Sequence, residues 1–253
     1  MPVKRDLWDK PLTRNYVPAW HCPTCSGGYL KHKPGSLNFS ETSESREAHG
    51  HEAWEPEWIL YRFSALLICN NEQCREAISV IGHGRLEIRQ IGWNGEVESE
   101  EFFYPDYVNP SPPLITLSDE YPPEVVEELK KAFVSSWSDF SSAGNHIRSA
   151  IEFLLDFLEE PRRQRKTSGK YERLTLHQRI VNLGERDKGL SDSLLAVKWL
   201  GNAGSHTNEL SRKDIFDALD IIDLNLDDLF IRHRVRIGKL VTAINKNKGP
   251  AKR

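Results

Sequence analysis

The chain has 253 residues, of which 28% are charged and 38% hydrophobic, and its formal net charge is −3. This length allows one large domain or two small ones, each with a buried core, and the near-neutral charge argues against a nucleic-acid coat or an acidic tail. No stretch approaches the roughly 18 apolar residues that a membrane-spanning helix needs. The N-terminal segment has charges but no apolar stretch like that of a signal peptide, so we expect a cytoplasmic protein without a membrane partner.

The four cysteines form two closely spaced pairs. Cys22 and Cys25 flank Pro-Thr and precede two glycines, whereas Cys69 and Cys74 are separated by four residues. Both spacings suit zinc ligands, and paired cysteines in a reducing cytosol are better explained by metal binding than by disulfides. Four thiolates leave no open position on the ion, so the pattern predicts one structural Zn²⁺.

Other interpretations of these pairs are a reduced apolar thiol pair or a redox pair at Cys22 and Cys25. The redox interpretation is the weaker of the two, because no βαβ pattern surrounds Cys22 and Cys25. His21, His49 and His51 are spare candidate ligands near the first pair.

Between and after the cysteine pairs, the pattern indicates a loop and then strands. Residues 36–57 are polar and aperiodic, which is typical of a mobile loop. From residue 59 apolar residues alternate with partly polar ones, and Asn94-Gly95 matches a type I′ hairpin turn. The predicted strands are 59–67, 77–81, 86–93 and 96–104.

Six prolines between residues 105 and 123 predict a linker at 105–122. Beyond it, apolar residues recur every three to four positions, as in about five amphipathic helices. Ile215, Leu219, Ile222 and Leu226 form the clearest stripe, and the aspartates at 217, 220, 223 and 227 lie off that face. The predicted fold class is α+β, with a zinc-ribbon-like antiparallel β module in residues 1–104, an α-helical bundle in 123–245 and a basic tail in 246–253.

Residues 201–206 carry Gly, Asn and His in close order at the end of a predicted helix. If the helix continues, Asn202 and His206 share a face and can hydrogen-bond each other or a neighbouring helix. Together with Arg148-Ser-Ala-Ile-Glu152, this Gly-Asn-x-x-x-His motif resembles the bacterial domain-of-unknown-function 4145 family, which is similar to the wider HEPN group of helical domains. The resemblance extends to the Cys22 knuckle and the proline-rich approach to Tyr121-Pro122.

The resemblance implies a HEPN-like homodimer. Many HEPN domains are metal-independent ribonucleases, found in toxin–antitoxin and antiphage systems, with an Arg and a His as active residues. Here His206 matches the histidine and Asn202 matches the polar residue, but residues 187–205 contain no arginine. The candidate catalytic set is therefore His206, Asn202, Lys198 and Arg148, with Lys198 or Arg148 replacing the missing cation.

Two basic segments are candidate phosphate contacts. Residues 161–173 carry six cations and one acid, in a predicted loop, and residues 232–253 carry eight cations and no acid. RNA or DNA could bind through Arg162, Arg163, Arg165, Lys166 and the basic C-terminal tail. The alternative is a solvated loop and a frayed tail.

These features support three hypotheses. The first is a zinc-stabilised, homodimeric HEPN-like binding or scaffold protein in a bacterial nucleic-acid-linked or antiphage defence pathway. The second is an endoribonuclease, a toxin or effector, that uses His206. The third is an antitoxin or adaptor that recognises a protein partner through the zinc module. The missing arginine favours the first over the second.

Overall fold

The computed structural model describes residues 3–91, 96–167, 169–203, 210–231 and 233–250. The chain divides into two units by its internal contacts. We call them the β unit, residues 4–114 and 130–143, and the helical unit, residues 1–3, 115–129 and 144–253. The fold is α+β, as predicted, with an antiparallel sheet followed by a helical region. None of the described helices combines the length and the hydropathy that crossing a bilayer requires.

The β unit is built on an antiparallel sheet. Its strands are β1 (Leu30–His32), β2 (Asn38–Glu41), β3 (Leu60–Cys69), β4 (Ala77–Ile91) and β5 (Glu96–Asn109). They lie in the order β1-β3-β4-β5, with β2 also paired to β3. Side chains alternate between the two faces of a strand, and Phe63, Ala65 and Leu67 of β3 accordingly point into the core.

The structure has one strand, β4, where the sequence predicted two at 77–81 and 86–93. β4 passes unbroken through Gly82, where its pairing with β5 shifts register and Pro105 lies opposite. A Cβ at Gly82 would lie 2.2 Å from the carbonyl oxygen of Tyr104. Proline lacks an N–H and is tolerated at such an irregularity, so β5 continues through Pro105 to Asn109 into the predicted linker.

Residues 36–57 also differ from the prediction. They contain β2 and a helix, α2 (Ser43–Ala48), and a 3₁₀ turn follows at Pro56–Trp58. A shorter helix, α1 (Arg5–Trp8), lies near the start of the β unit. The Thr42 side chain accepts a hydrogen bond from the Ser45 N–H and so caps α2. The predicted turn at Asn94-Gly95 lies outside the described residues.

Three tryptophans pack together in the β unit. Trp8 stacks on Trp20 with ring centroids 5.8 Å apart, and Trp137 lies 5.1 and 5.2 Å from them. Trp20 is fully buried and donates its Nε1–H to the Leu7 carbonyl. The helical spacing of its neighbours predicts that Trp137 belongs to the helical bundle. In the structure it packs in this aromatic cluster instead.

The rest of the chain is mainly helical. Its described helices are α3 (Pro123–Ser135), α4 (Phe140–Phe157), α5 (Leu176–Leu183), α6 (Lys188–Ala203), α7 (Arg212–Leu226) and α8 (His233–Asn247). A π-helical turn, Asp227–Ile231, extends α7. α8 is one helix more than the sequence predicted, and it occupies part of the basic C-terminal segment.

α7 buries the predicted apolar stripe, including Ile215 and Leu219. Asp223, predicted off this face, is buried, and burial raises its pKa. Asp220 accepts a hydrogen bond from the N–H of Val3, which is itself buried. Val3 therefore contacts a side of α7 that the sequence pattern alone placed off the buried face.

The basic segment 161–173 is a hairpin instead of the predicted loop. Its strands are β6 (Arg163–Arg165) and β7 (Tyr171–Arg173), joined through a turn at Gly169, whose φ is +83°. Arg163 and Arg173 lie directly opposite each other.

Candidate metal centre

Two short loops of the β unit carry the four cysteines. The first loop closes when the Cys22 N–H donates to the Gly28 carbonyl at 2.8 Å, just before β1. The second loop joins β3 to β4, beginning at Cys69 and containing Cys74. Leu30 of β1 pairs with Cys69 of β3, so the end of the first loop lies beside the start of the second.

The structure brings the four cysteine sulfur atoms within 4.8 Å of one another. Cys22 Sγ lies 3.8 Å from Cys74 Sγ, and Cys25 Sγ lies 3.7 Å from Cys69 Sγ. A zinc ion with Zn–S bonds of about 2.3 Å requires tetrahedral edges of about 3.8 Å. This cluster could hold a metal ion, and its sulfur spacing fits a tetrahedral one.

The absence of a side chain at Gly28 allows the second cysteine pair to approach the first. A Cβ at this position would lie 2.3 Å from Cys69 Sγ and 3.1 Å from side-chain atoms of Asn70 and Asn71. No side chain fits into that space, so the glycine is a steric requirement of the cluster.

Polar donors surround the sulfur atoms. The Thr24 N–H points to Cys22 Sγ and the Asn71 N–H to Cys69 Sγ, each at 3.4 Å. The Asn71 side-chain amide also lies 3.8 Å from Cys25 Sγ. Such donors stabilise thiolate charge and orient the ligands.

The cysteines differ in acidity. Burial favours the neutral Cys25 thiol, but hydrogen bonds from the Gly28 and Gly27 N–H groups and from the Cys69 and Cys74 thiols together outweigh it and lower its pKa to about 6. Burial raises the pKa of Cys69 to about 12, with further contributions from the Cys25 and Cys22 sulfurs. Four adjacent thiolates repel one another, so their joint ionisation requires a cation between them.

The cluster is partly buried. Cys22 and Cys69 are buried, and Cys25 and Cys74 are half-buried. The Thr24 hydroxyl donates to Glu76 at 2.8 Å and so ties the first loop to the residue that precedes β4. This arrangement is typical of a site that holds loops together.

The three spare histidines have other contacts. His21 Nδ1 lies 3.2 Å from the Ser26 carbonyl oxygen, and the His21 ring packs on Tyr29. His49 pairs with Glu41 at 2.8 Å, and His51 Nδ1 accepts a hydrogen bond from the Ala53 N–H at 3.1 Å. Among the described residues, the metal-ligand cluster contains the four cysteines and no histidine.

Of the candidate catalytic residues, the structure brings two near each other. Lys198 of α6 is buried, with its Nζ 3.5 Å from the Trp199 ring centroid. Burial lowers the pKa of Lys198, and the positive charge of Arg148 on α4 lowers it further. Asn202 lies in the last turn of α6, but its side chain and the whole of His206 lie outside the described residues.

The predicted phosphate contacts on the hairpin are partly paired with acids. Arg162 binds Asp156 through two hydrogen bonds, and Lys166 lies 2.7 Å from Glu172. Arg163 and Arg165 are exposed. Arg179, which was not among the predicted site residues, is a buried cation that also binds Asp156 at 2.7 Å. The Thr175-x-x-Gln178 capping motif directly precedes Arg179 and predicts the start of the helix that carries this arginine.

Two family models match the chain. Residues 10–110, which include all four cysteines, match a family described as Domain of unknown function (DUF8608). Residues 130–247, which include Arg148, Lys198, Asn202 and His206, match one described as Domain of unknown function (DUF4145). No curated protein and no solved structure matches the chain. The resemblance to the DUF4145 family that the C-terminal motifs predicted is thus confirmed over residues 130–247, whereas the Cys22 knuckle lies in the match to the other family.

Proposed function

We propose that the protein is a zinc-stabilised binding or scaffold protein whose metal holds the β unit in shape. The observation that supports this most strongly is the four-cysteine cluster, with sulfur atoms within 4.8 Å of one another. Zinc fits because thiolates suit it and a closed tetrahedral site is its usual structural form. In this role the metal takes no part in chemistry, and the cysteines cross-link two loops.

The experiment is elemental analysis of the purified chain together with the variant Cys69→Ser. We expect one zinc ion per chain, and loss of the ion and of the β-unit fold in the variant. Structural zinc contributes on the order of 10 kcal/mol in small modules. The matched control is Ser64→Ala in the same strand, which should retain full zinc. A metal-free parent protein that keeps its β unit folded contradicts the proposal.

The proposed binding role is linked to nucleic acid in a homodimer. It is supported by the exposed cations of the β6–β7 hairpin and by the HEPN resemblance, which also suggests antiphage defence. Light scattering of the full chain at tens of micromolar tests the dimer. A monomer at that concentration argues against a cleft shared between two copies.

A second candidate is a ribonuclease that uses His206. It is favoured by the proximity of Lys198 and Arg148, since two cations on different helices can stabilise the charge of a pentavalent phosphate. His206 would act as general acid or base on the 2′-hydroxyl or the leaving oxygen. His206→Ala should then abolish RNA cleavage with an unchanged melting temperature. If the histidine is structural, the same variant loses roughly 1–3 kcal/mol of stability instead.

A further inference from the structure

A cavity of about 250 Å³ opens in the helical unit, between the β6–β7 hairpin and the start of α5. Its lining includes Arg162, Arg173, Arg179, Thr175, Leu176 and one acid, Glu152. Three arginines line this small space, and their like charges repel one another unless anions lie nearby.

The acids near the cavity do not cancel this charge. Asp156 binds both Arg162 and Arg179. Arg173 has no ion-pair partner in the part of the chain that the structure describes, and it faces another cation, Arg163, across the hairpin. Counting Asp156 and Glu152 against the three lining arginines leaves one positive charge, and Arg163 adds to the local field.

Arg179 supplies a fixed donor group. Its side chain is only 4% exposed and is held by Asp156 at 2.7 Å and by the Glu160 carbonyl at 2.9 Å. Its Nε has no acceptor among the described residues. A guanidinium that is already immobilised loses little side-chain entropy when it binds a ligand.

The N-terminus of α5 adds to the positive potential. Thr175 caps this eight-residue helix by accepting from the Gln178 N–H, and both Thr175 and Leu176 line the cavity. The first-turn N–H groups carry the partial positive charge of the helix dipole, which favours anions at this end.

We propose that this cavity binds a phosphate group, held by Arg173 and Arg179 over the start of α5. The planar guanidinium of Arg173 can match two phosphate oxygens at once, whereas Arg179 offers its unpaired Nε–H. The volume suits a phosphate group or part of a mononucleotide better than a large cofactor. The group can come from free phosphate, a mononucleotide or an RNA backbone. Such a site would supply the phosphate contact that the proposed nucleic-acid-linked function requires. The identity of its biological ligand rests on that proposed function.

The test is calorimetric titration of the full-length protein, at low salt, with inorganic phosphate and with adenosine 5′-monophosphate. Arg173→Ala removes an exposed side chain and should weaken binding by about tenfold, the equivalent of about 1.4 kcal/mol. The matched control is Lys188→Ala, which removes one exposed positive charge of the same unit from outside the cavity lining. It should change the affinity by less than about twofold.

Two results overturn the site: a parent protein that binds neither ligand at millimolar concentration, and equal losses in both variants, which would indicate a diffuse electrostatic field. A short single-stranded RNA identifies the source of the phosphate. If Arg173→Ala weakens RNA binding and the mononucleotide competes with RNA, the site takes a backbone phosphate. If RNA binds both variants equally while phosphate binding needs Arg173, the site takes a free phosphate or a mononucleotide. A protein that binds phosphate but no RNA keeps the site and contradicts the nucleic-acid-linked role.

Discussion

Gly28 lies where the two cysteine loops approach most closely. Its missing side chain lets Cys69 Sγ come within 2.3 Å of the position that a Cβ would take. Gly27, the preceding residue, has no such contact, because the nearest atom to its hypothetical Cβ is the Cys25 carbonyl oxygen at 3.6 Å. The two neighbouring glycines therefore form a matched pair for testing the metal centre.

Gly28→Ala should displace Cys69 Sγ and weaken metal retention by about 10–100-fold, the usual effect of disturbing the surroundings of a metal ligand. Gly27→Ala should retain the metal as the parent does. The measurement is competition with a chromophoric chelator on the zinc-loaded protein. Equal retention in both variants means that the Cys69 thiolate does not ligate the metal.

Asp156 binds two arginines of the helical unit, Arg162 and Arg179. Hydrogen bonds from Arg162 and then Arg179 hold its pKa below the usual range, against the opposing effect of burial. A carboxyl group whose pKa is lower in the folded state than in the unfolded one stabilises the fold above its unfolded pKa. That contribution is lost as the pH falls through the folded pKa.

Asp156→Asn should lower the free energy of unfolding by about 2 kcal/mol at pH 7, since buried Arg179 loses its charged partner. The difference from the parent should shrink as the pH falls below about 4, the unfolded pKa, and disappear once the pH is below the lowered pKa of the folded state. Urea unfolding at several pH values measures it. Glu172→Gln, which breaks an exposed pair with Lys166, is the control and should change stability by less than about 0.5 kcal/mol. A constant difference across the pH range would rule out the ion pair as the cause.

Among the elements, β4 shows how a local signal can mislead. Gly82-His83-Gly84 lies between the two strands that the sequence predicts at 77–81 and 86–93. In the structure it is the point where β4 and β5 come too close for any side chain at Gly82. Close approach depends on the pairing partner, which local periodicity does not contain.

Gly82→Ala should place its Cβ against the Tyr104 carbonyl and destabilise the β unit by about 1–3 kcal/mol, as overpacking does. Gly50→Ala is the control, because the nearest atom to its Cβ would be 3.7 Å away, and its stability should be equal or slightly higher. Thermal unfolding followed by tryptophan fluorescence compares the two. A Gly82→Ala protein as stable as the parent would show that β4 can shift at this point.

Local patterns were enough to predict β3, most helices and the cysteine pairs, since each depends on residues close in sequence. They do not show which residues that are far apart in sequence come into contact. Three examples are the Leu30–Cys69 pairing that joins the two cysteine loops, the packing of Trp137 beside Trp8, and the hydrogen bond from the Val3 N–H to Asp220. The arginine cavity was missed for the same reason, because its lining comes from α4, the hairpin and α5.

For the whole molecule, the division into two units allows the effects of the metal to be separated by spectroscopy. Six of the seven tryptophans belong to the residues of the β unit, and only Trp199 belongs to the helical unit. Tryptophan fluorescence therefore reports mainly on the β unit, and circular dichroism at 222 nm reports mainly on the helices.

Removal of zinc by a strong chelator should shift the fluorescence to longer wavelength, because Trp8, Trp20 and Trp137 lose their packing when the cysteine loops separate. Most of the helical signal should persist, since the helical unit has its own core around residues such as Ile151, Leu194 and Leu219. Adding zinc back should restore the fluorescence, because folding and metal binding are coupled at such sites. A simultaneous loss of both signals would show instead that α3 and α4, which the division between the units crosses, make the whole chain unfold as one.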